Sequence, residues 1–138
     1  MKGQCMCGAV TVTAELARDN LTACHCEMCR RWCSGPFVAV EAKPGAKITG
    51  PAKVVQTSDW AERAHCAECG SGLWYRMTDP AGPHRFAAGL FDTGEMPIAL
   101  EVWIDQKPAG YAFAGERRQM TGAEIVAFFT GPSDGAGR

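Results

Sequence analysis

The stretch HCAECGS, residues 65–71, contains two cysteines in C-x-x-C spacing with a glycine behind them. A similar pair stands near the start of the chain, in QCMCGA, residues 4–9, where the spacing is C-x-C and a glycine again follows. Glycine suits the tight turn of a chelating loop because it has no Cβ. A structural zinc site takes four tetrahedral ligands, often all cysteine thiolates. The two pairs therefore predict one closed structural zinc site, with the ligands Cys5, Cys7, Cys66 and Cys69.

The first residues, MKGQCMCGAV, lack the apolar region of a secretory signal, and no segment approaches the roughly 18 consecutive apolar residues of a membrane span. We therefore expect a soluble cytosolic protein that does not contact a membrane. In a reducing cytosol, clustered cysteines more often hold metal or perform chemistry than form disulfides. The alternative is a secreted domain in which the eight cysteines form disulfides.

A second cysteine group lies in CHCEMCRRWCSGPF, residues 24–37. Its first three cysteines have the spacing C-x-C-x-x-C, and three ligands from one short segment leave one zinc coordination position open. An open position distinguishes catalytic zinc from structural zinc. The stretch therefore predicts a second, catalytic zinc site and the active site, formed by Cys24, Cys26 and Cys29.

Cys33, four residues beyond Cys29, allows two interpretations. If the chain is helical from Glu27 onward, Cys33 and Cys29 share a helix face and Cys33 can approach the metal, which would close the site. Alternatively, Cys33 is a small buried apolar residue, as free cysteine often is. We favour the second interpretation because three ligands already constrain so short a segment.

Length and charge narrow the class of protein. The chain has 138 residues, the size of about one domain, and we expect a single zinc-binding domain over residues 1–131 with a flexible tail at 132–138. Lys and Arg total 14 against 15 Asp and Glu, which gives a formal net charge of −1. Because no long run of basic residues is present, the sequence argues against binding to nucleic acid or to an acidic membrane surface.

The hydrophobic pattern predicts a mainly β fold. In VTVTAEL, residues 10–16, apolar and polar residues alternate with the period of a half-buried strand. Further short runs rich in β-branched and aromatic residues are separated by glycine and proline. These runs occupy residues 36–41, 53–58, 72–77, 84–90 and 100–105.

One helix is predicted near the end of the chain. Thr121 as N-cap and Glu124 three residues later form a capping box, and Met120 with Ile125 forms a hydrophobic staple. The helix should run to about Thr130, before a Gly-Pro pair stops it.

The cysteine motifs together carry a family resemblance. CxCGAV, CHCxxCRR and R-x-HCxxCGSxL resemble the glutathione-dependent formaldehyde-activating enzyme family, which is related to centromere protein V, and the resemblance spans about residues 3–111. It implies several short coiled antiparallel β-sheets around two zinc sites divided as above. It also implies a carbon-sulfur lyase that joins a small-molecule thiol, glutathione, to a small aldehyde, formaldehyde.

Three positions depart from the family pattern. His65 stands where the family commonly has an aromatic residue, Glu101 stands where it has a histidine, and Tyr111 lies near the position of a tryptophan. These positions lie outside the predicted zinc ligands, so they bear on the identity of the substrate and not on the metal.

An open zinc with three thiolates carries a charge of about −1, which makes it a poor Lewis acid but a good binding position for a fourth thiol. The bound thiol loses its proton and stays nucleophilic, so it can add to a small aldehyde. Arg30 and Arg31 can bind a substrate carboxylate or offset the negative charge; the alternative is that both are ordinary solvated arginines. His25 lies between two ligands and should point away from the metal.

Two other functions stay open at this point. The first is a zinc module without catalytic activity that binds a protein or nucleic acid, although the basic face expected of a nucleic-acid-binding module is missing. The second is a thiol redox protein in which Cys33 or Cys24 is the reactive sulfur.

Overall fold

A computed structural model describes residues 1–130 of the chain, and the predicted tail at 132–138 lies outside the described residues. The strands are β1 (Lys2–Gln4), β2 (Thr11–Thr13), β3 (Leu21–Cys24), β4 (Phe37–Glu41), β5 (Lys47–Thr49), β6 (Ala52–Gln56), β7 (Ala61–Cys66), β8 (Gly72–Met77), β9 (Arg85–Ala87), β10 (Ile98–Val102) and β11 (Arg118–Met120). The α-helices are α1 (Glu27–Cys33) and α2 (Gly122–Thr130), and 3₁₀ turns lie at Ala88–Leu90 and Ile104–Gln106. The prediction of a mainly β fold is confirmed.

The predicted alternation over residues 10–16 is confirmed by burial. Val10, Val12 and Ala14 are buried, and the polar residues between them are exposed. Each of the other five predicted runs also contains or overlaps a strand. The remaining strands were not predicted because most are only three or four residues long, too short for a period to be read.

The chain separates into two compact units, of which the first comprises Met1–Leu21 and Val38–Pro97. In this unit β1, β2 and β5 form one antiparallel sheet, in the order β1-β2-β5. The strands β4, β9, β8, β7 and β6 follow one another in a second antiparallel arrangement. The core of this first unit contains Leu73 and a cluster of aromatic rings formed by Trp74, Phe86 and Phe91.

The second unit comprises Thr22–Phe37 and the chain from Ile98 onward. It contains α1, α2 and the strand order β11-β10-β3. The pair of β10 and β11 is parallel, in contrast to the antiparallel pairs of the first unit. Gly122 begins α2 directly against Trp103, where a Cβ would lie 2.0 Å from the indole ring, so this position requires glycine.

None of the helices in the described part of the chain is long and apolar enough to cross a membrane.

The capping box of α2 is confirmed. The backbone N–H of Glu124 donates to Thr121 Oγ1 at 3.2 Å, and the backbone N–H of Thr121 donates to Glu124 Oε1 at 3.0 Å. The backbone N–H of Thr121, and after it the Thr121 side chain, lower the pKa of Glu124. Two backbone donors that the first helical turn leaves without a partner are thus satisfied.

Replacing Thr121 by alanine should lower the free energy of unfolding by about 1 kcal/mol, because the cap oxygen is lost. Urea unfolding of the zinc-loaded protein measures this as a lower midpoint with an unchanged slope. Thr130→Ala is the matched control, since its hydroxyl donates to the Val126 carbonyl in the last turn of the same helix. A midpoint for Thr121→Ala that equals that of Thr130→Ala would contradict the capping role.

Candidate metal centres

Four cysteine sulfurs meet in the first unit. The sulfurs of Cys5, Cys7, Cys66 and Cys69 all lie within 4.8 Å of one another. Cys7 Sγ is 3.6 Å from Cys5 Sγ and 3.8 Å from Cys66 Sγ. A zinc ion with four sulfurs at 2.3 Å requires sulfur-sulfur distances of roughly 3.8 Å, whereas a disulfide requires about 2.05 Å. The cluster therefore has the donor set and spacing of a tetrahedral zinc site and not of two disulfides.

Each cysteine pair of this cluster lies in a tight turn that a glycine closes. Gly8 and Gly70 have φ of 79° and 80°, in the left-handed region that favours glycine. The backbone N–H of Gly8 donates to the Cys5 carbonyl at 3.0 Å, and that of Gly70 donates to the Cys66 carbonyl at 2.9 Å. The turns predicted from the sequence are confirmed, and they bring together sulfurs whose positions in the chain are up to 64 residues apart.

Polar groups favour the thiolate form of two of the four cysteines in this cluster, Cys5 and Cys69, although the pKa of Cys7 is raised to about 12. The backbone N–H of Val10 donates to Cys5 Sγ at 3.3 Å and is the main cause of the lowered pKa of Cys5. The Ser71 hydroxyl lies 3.1 Å from Cys69 Sγ and, with the backbone of Ser71, lowers the pKa of Cys69 to about 5. Since metal ligands must be deprotonated, these hydrogen bonds favour binding of a cation.

The second unit holds a cluster of three sulfurs. Cys24 ends β3, Cys26 is the N-cap of α1 and Cys29 lies buried inside α1; their sulfurs lie within 4.8 Å of one another. The backbone N–H of Cys29 donates to Cys26 Sγ at 3.4 Å. The thiols of Cys26 and Cys29, together with burial, raise the pKa of Cys24 well above its ordinary value. A cation among the three sulfurs would relieve this unfavourable grouping of thiolates, so the residues fit a metal ion with three protein ligands.

Cys33 lies outside this cluster. The chain is helical from Glu27 onward, as α1, but the Cys33 thiol donates to the Cys29 carbonyl at 3.0 Å and contacts the Gly35 carbonyl at 3.4 Å. The interpretation of Cys33 as a buried apolar residue is wrong, because its side chain is exposed. The thiol hydrogen of Cys33 is thus accepted by a backbone carbonyl of α1.

The two predicted substrate-binding arginines differ in their surroundings. Arg31 is exposed and donates from Nη2 and Nε to Glu27 Oε1, at 2.6 and 2.9 Å. Arg30 is partly buried, and its Nε donates to the His25 carbonyl at 3.0 Å. Arg30 is therefore fixed to the segment that carries the three-cysteine cluster, whereas Arg31 forms a surface ion pair along α1.

His25 is not part of the three-sulfur cluster, and its ring belongs to a polar network that the sequence did not predict. The residue is fully buried. Its Nε2 lies 2.8 Å from Glu101 Oε1, and its Nδ1 lies 3.0 Å from the Tyr111 hydroxyl. The sequence marked Glu101 and Tyr111 only as departures from the family pattern. That both positions depart from the family pattern was the one signal in the sequence that the two residues act together.

The buried carboxylate of Glu101 is fully paired. Its Oε2 accepts from Arg117 Nη1 at 3.0 Å and from Gln119 Nε2 at 3.1 Å. Burial by itself raises the pKa of Glu101, but the hydrogen bonds from Gln119, Arg117 and His25 outweigh it and hold the pKa below its usual range. Glu101 is therefore an ionised group at neutral pH, fixed from three sides.

Comparison with known proteins finds a matching family and two similar proteins. The sequence profile of the family described as "Glutathione-dependent formaldehyde-activating enzyme" matches residues 1–106. A Schizosaccharomyces pombe protein named "Uncharacterized lyase" is 34% identical over 128 residues, covering 91% of this chain and 93% of that protein. A Halomonas elongata protein named "Putative glutathione-dependent formaldehyde-activating enzyme" is 27% identical over 123 residues, covering 78% and 77%.

A solved structure shares the fold. The crystal structure of a Rhodobacter sphaeroides protein superposes with a TM-score of 0.58 at 22% sequence identity. The match covers 72% of this chain and all of the other chain. At this identity the likeness concerns the fold alone.

Proposed function

The chain belongs to the glutathione-dependent formaldehyde-activating enzyme family, and on that premise we propose that it is a carbon-sulfur lyase acting on a thiol such as glutathione and a small aldehyde such as formaldehyde. The observation that carries the proposal is the cluster of Cys24, Cys26 and Cys29. It offers three sulfurs within 4.8 Å, whereas the other cluster offers four. Three protein ligands suit a catalytic zinc, and four suit a structural one.

The three cysteines would hold zinc, which when bound supplies one position where a substrate thiol loses its proton and stays nucleophilic. The role of the protein is to fix the sulfurs before the substrate arrives. Cys24 is held by β3, and the other two are held by the first turn of α1. A site built on a strand and a helix keeps its geometry better than one built on loops.

The reaction we assign is the reversible addition of a thiol to an aldehyde. The sulfur of the thiolate attacks the aldehyde carbon, and its lone pair forms the new carbon-sulfur bond. The electron pair of the carbonyl π bond moves to oxygen, which takes up the proton that the thiol released. The product is a hemithioacetal, and the same steps in reverse split it, so no oxidant or reductant is required.

Arg30 and Arg31 are our proposed binding residues for the substrate carboxylates. Arg30 is held near the cluster by its bond to the His25 carbonyl, so less side-chain freedom is lost when it binds an anion. Arg31 is paired with Glu27 at the surface, where such a pair contributes only about 0.3–0.5 kcal/mol. A substrate carboxylate can therefore displace Glu27 from Arg31 at little cost.

Zinc stoichiometry together with X-ray absorption at the zinc edge tests this proposal. The reduced protein should hold two zinc ions with an average of about 3.5 sulfur ligands, and glutathione should raise the average to about 4. S-methylglutathione is the matched control, since it keeps both carboxylates but has no free thiol. It should leave the sulfur number unchanged.

Three results would contradict the proposal. Four protein sulfurs on both zinc ions before glutathione is added would make the second cluster structural. Two zinc ions that never respond to glutathione would favour a zinc module without catalytic activity. One zinc ion together with reactive free thiols would favour a redox protein.

A further inference from the structure

His25 is fixed through both of its backbone polar groups. It lies between Cys24 and Cys26, its N–H donates to the Val102 carbonyl at 3.1 Å, and its carbonyl accepts from Arg30 Nε at 3.0 Å. The peptide groups on either side of His25 cannot rotate without breaking one of these hydrogen bonds. The backbone between the two cysteines is therefore tied on both sides.

The imidazole ring of His25 is fixed as well. The ring is fully buried, with Nε2 at 2.8 Å from Glu101 Oε1 and Nδ1 at 3.0 Å from the Tyr111 hydroxyl. Since an ionised carboxylate only accepts, Nε2 donates to Glu101. The Phe113 ring covers the imidazole, with centroids 5.9 Å apart. The ring thus has one orientation, set by residues at least 76 positions away in the chain.

Backbone geometry couples this ring to the two cysteines beside it. Cys24 belongs to β3, and Cys26 has the extended conformation, with φ −63° and ψ 158°. In extended chain, successive side chains point to opposite sides, so residues one position either side of His25 point together. Fixing the ring on one side therefore directs the Cβ atoms of Cys24 and Cys26, which carry the sulfurs, to the other side.

We propose that Glu101 and His25 are positioning residues of the three-cysteine cluster: Glu101 holds the His25 ring, and the ring holds Cys24 and Cys26 where their sulfurs converge with Cys29. A role in catalysis rests on the proposed function, but the positioning itself should first affect the affinity of the cluster for zinc. Groups that orient metal ligands in this indirect way typically contribute 10- to 100-fold in affinity or activity.

The test compares Glu101→Ala with Glu62→Ala in the full-length protein. Glu62 is the matched control, because its Oε1 pairs with Arg76 Nε at the same 2.8 Å but belongs to the first unit, whereas the three-cysteine cluster belongs to the second. Chelator competition measures zinc affinity at both clusters. Glu101→Ala should bind the second zinc about 10- to 100-fold more weakly than the parent and keep the first, whereas Glu62→Ala should leave both affinities within twofold.

Cobalt(II) substitution distinguishes positioning from general destabilisation. If Glu101 positions the ligands, the cobalt absorption bands of the three-cysteine cluster should shift in Glu101→Ala and stay unchanged in Glu62→Ala. Glu101→Gln keeps the volume and one acceptor oxygen, so it should fold and show a smaller loss, near the lower limit of about tenfold. If the alanine variant does not fold, the glutamine variant decides by the same two measurements.

An affinity within twofold of the parent and an unchanged cobalt spectrum in the folded Glu101 variants would overturn the positioning role, whatever the protein catalyses. If the parent binds the second zinc but never takes up glutathione, the proposed function fails. The affinity ratio between parent and variant then still decides the role of Glu101.

Discussion

Cys66→Ser should accumulate as insoluble or unfolded protein. Cys66 is fully buried at the end of β7, and its sulfur belongs to the four-cysteine cluster. At a structural zinc site, the free energy of metal binding, about 10–16 kcal/mol, is also folding free energy. A domain of ordinary stability has only about 5–15 kcal/mol in total. Losing one of four ligands should therefore remove most of the net stability. Circular dichroism measures the loss of folded structure, and zinc content measures the loss of the metal.

Two further variants separate ligand loss from the burial of a hydroxyl. Cys7→Ser removes a ligand at an exposed position, so it should lose the zinc without burying an unpaired hydroxyl. Cys33→Ser changes an exposed thiol outside both clusters and should keep both metals and the parental melting temperature. A soluble Cys66→Ser protein that melts like the parent would refute the structural role of this cluster.

Cys26→Ser should give the opposite pattern, a folded protein without its second zinc. The four-cysteine cluster and the core of the first unit do not contain Cys26, so they should remain intact. Thiol-dependent activity on small aldehydes should fall by more than about 100-fold, because a direct ligand should matter more than the groups that orient it. Exchange NMR with glutathione and formaldehyde measures this rate above the uncatalysed reaction, and zinc content should be one ion per chain.

Cys33→Ser is again the control, since a serine hydroxyl can still donate to the Cys29 carbonyl. It should keep two zinc ions and the parental rate. If Cys33→Ser loses one metal, Cys33 is a fourth ligand in solution and the stretch CHCEMCRRWC is a second structural site. Full activity in Cys26→Ser would equally exclude the three-cysteine cluster as the active site.

Burial does not separate the two clusters, since each contains both buried and accessible cysteines. Four ligands fill the tetrahedral coordination of zinc, whereas three leave one position open. The proposed roles of the two clusters, one structural and one catalytic, therefore rest on the number of sulfurs.

Features that depend on neighbours in the chain were readable from the sequence. The spacings C-x-C and C-x-x-C place two sulfurs close together through backbone geometry alone. Because a structural zinc takes four ligands, the pair at residues 5 and 7 is then assigned to the same ion as the pair at residues 66 and 69. The capping box of Thr121 and Glu124 spans one helical turn, and the alternation at residues 10–16 needs only the period of a strand. By contrast, the sequence of β7 does not alternate between apolar and polar residues, because two polar residues are adjacent in its interior.

What the sequence by itself determined was thus the grouping of cysteines, the β class and the final helix, because short-range geometry fixes each of them. Only the tertiary structure decided that Glu101 and Tyr111, 76 and 86 residues from His25, meet on its ring. It also decided that the Cys33 thiol turns to the Cys29 carbonyl instead of the cluster. Such contacts depend on how strands and loops distant in sequence pack and on which rotamer the packing permits, and no local spacing encodes either.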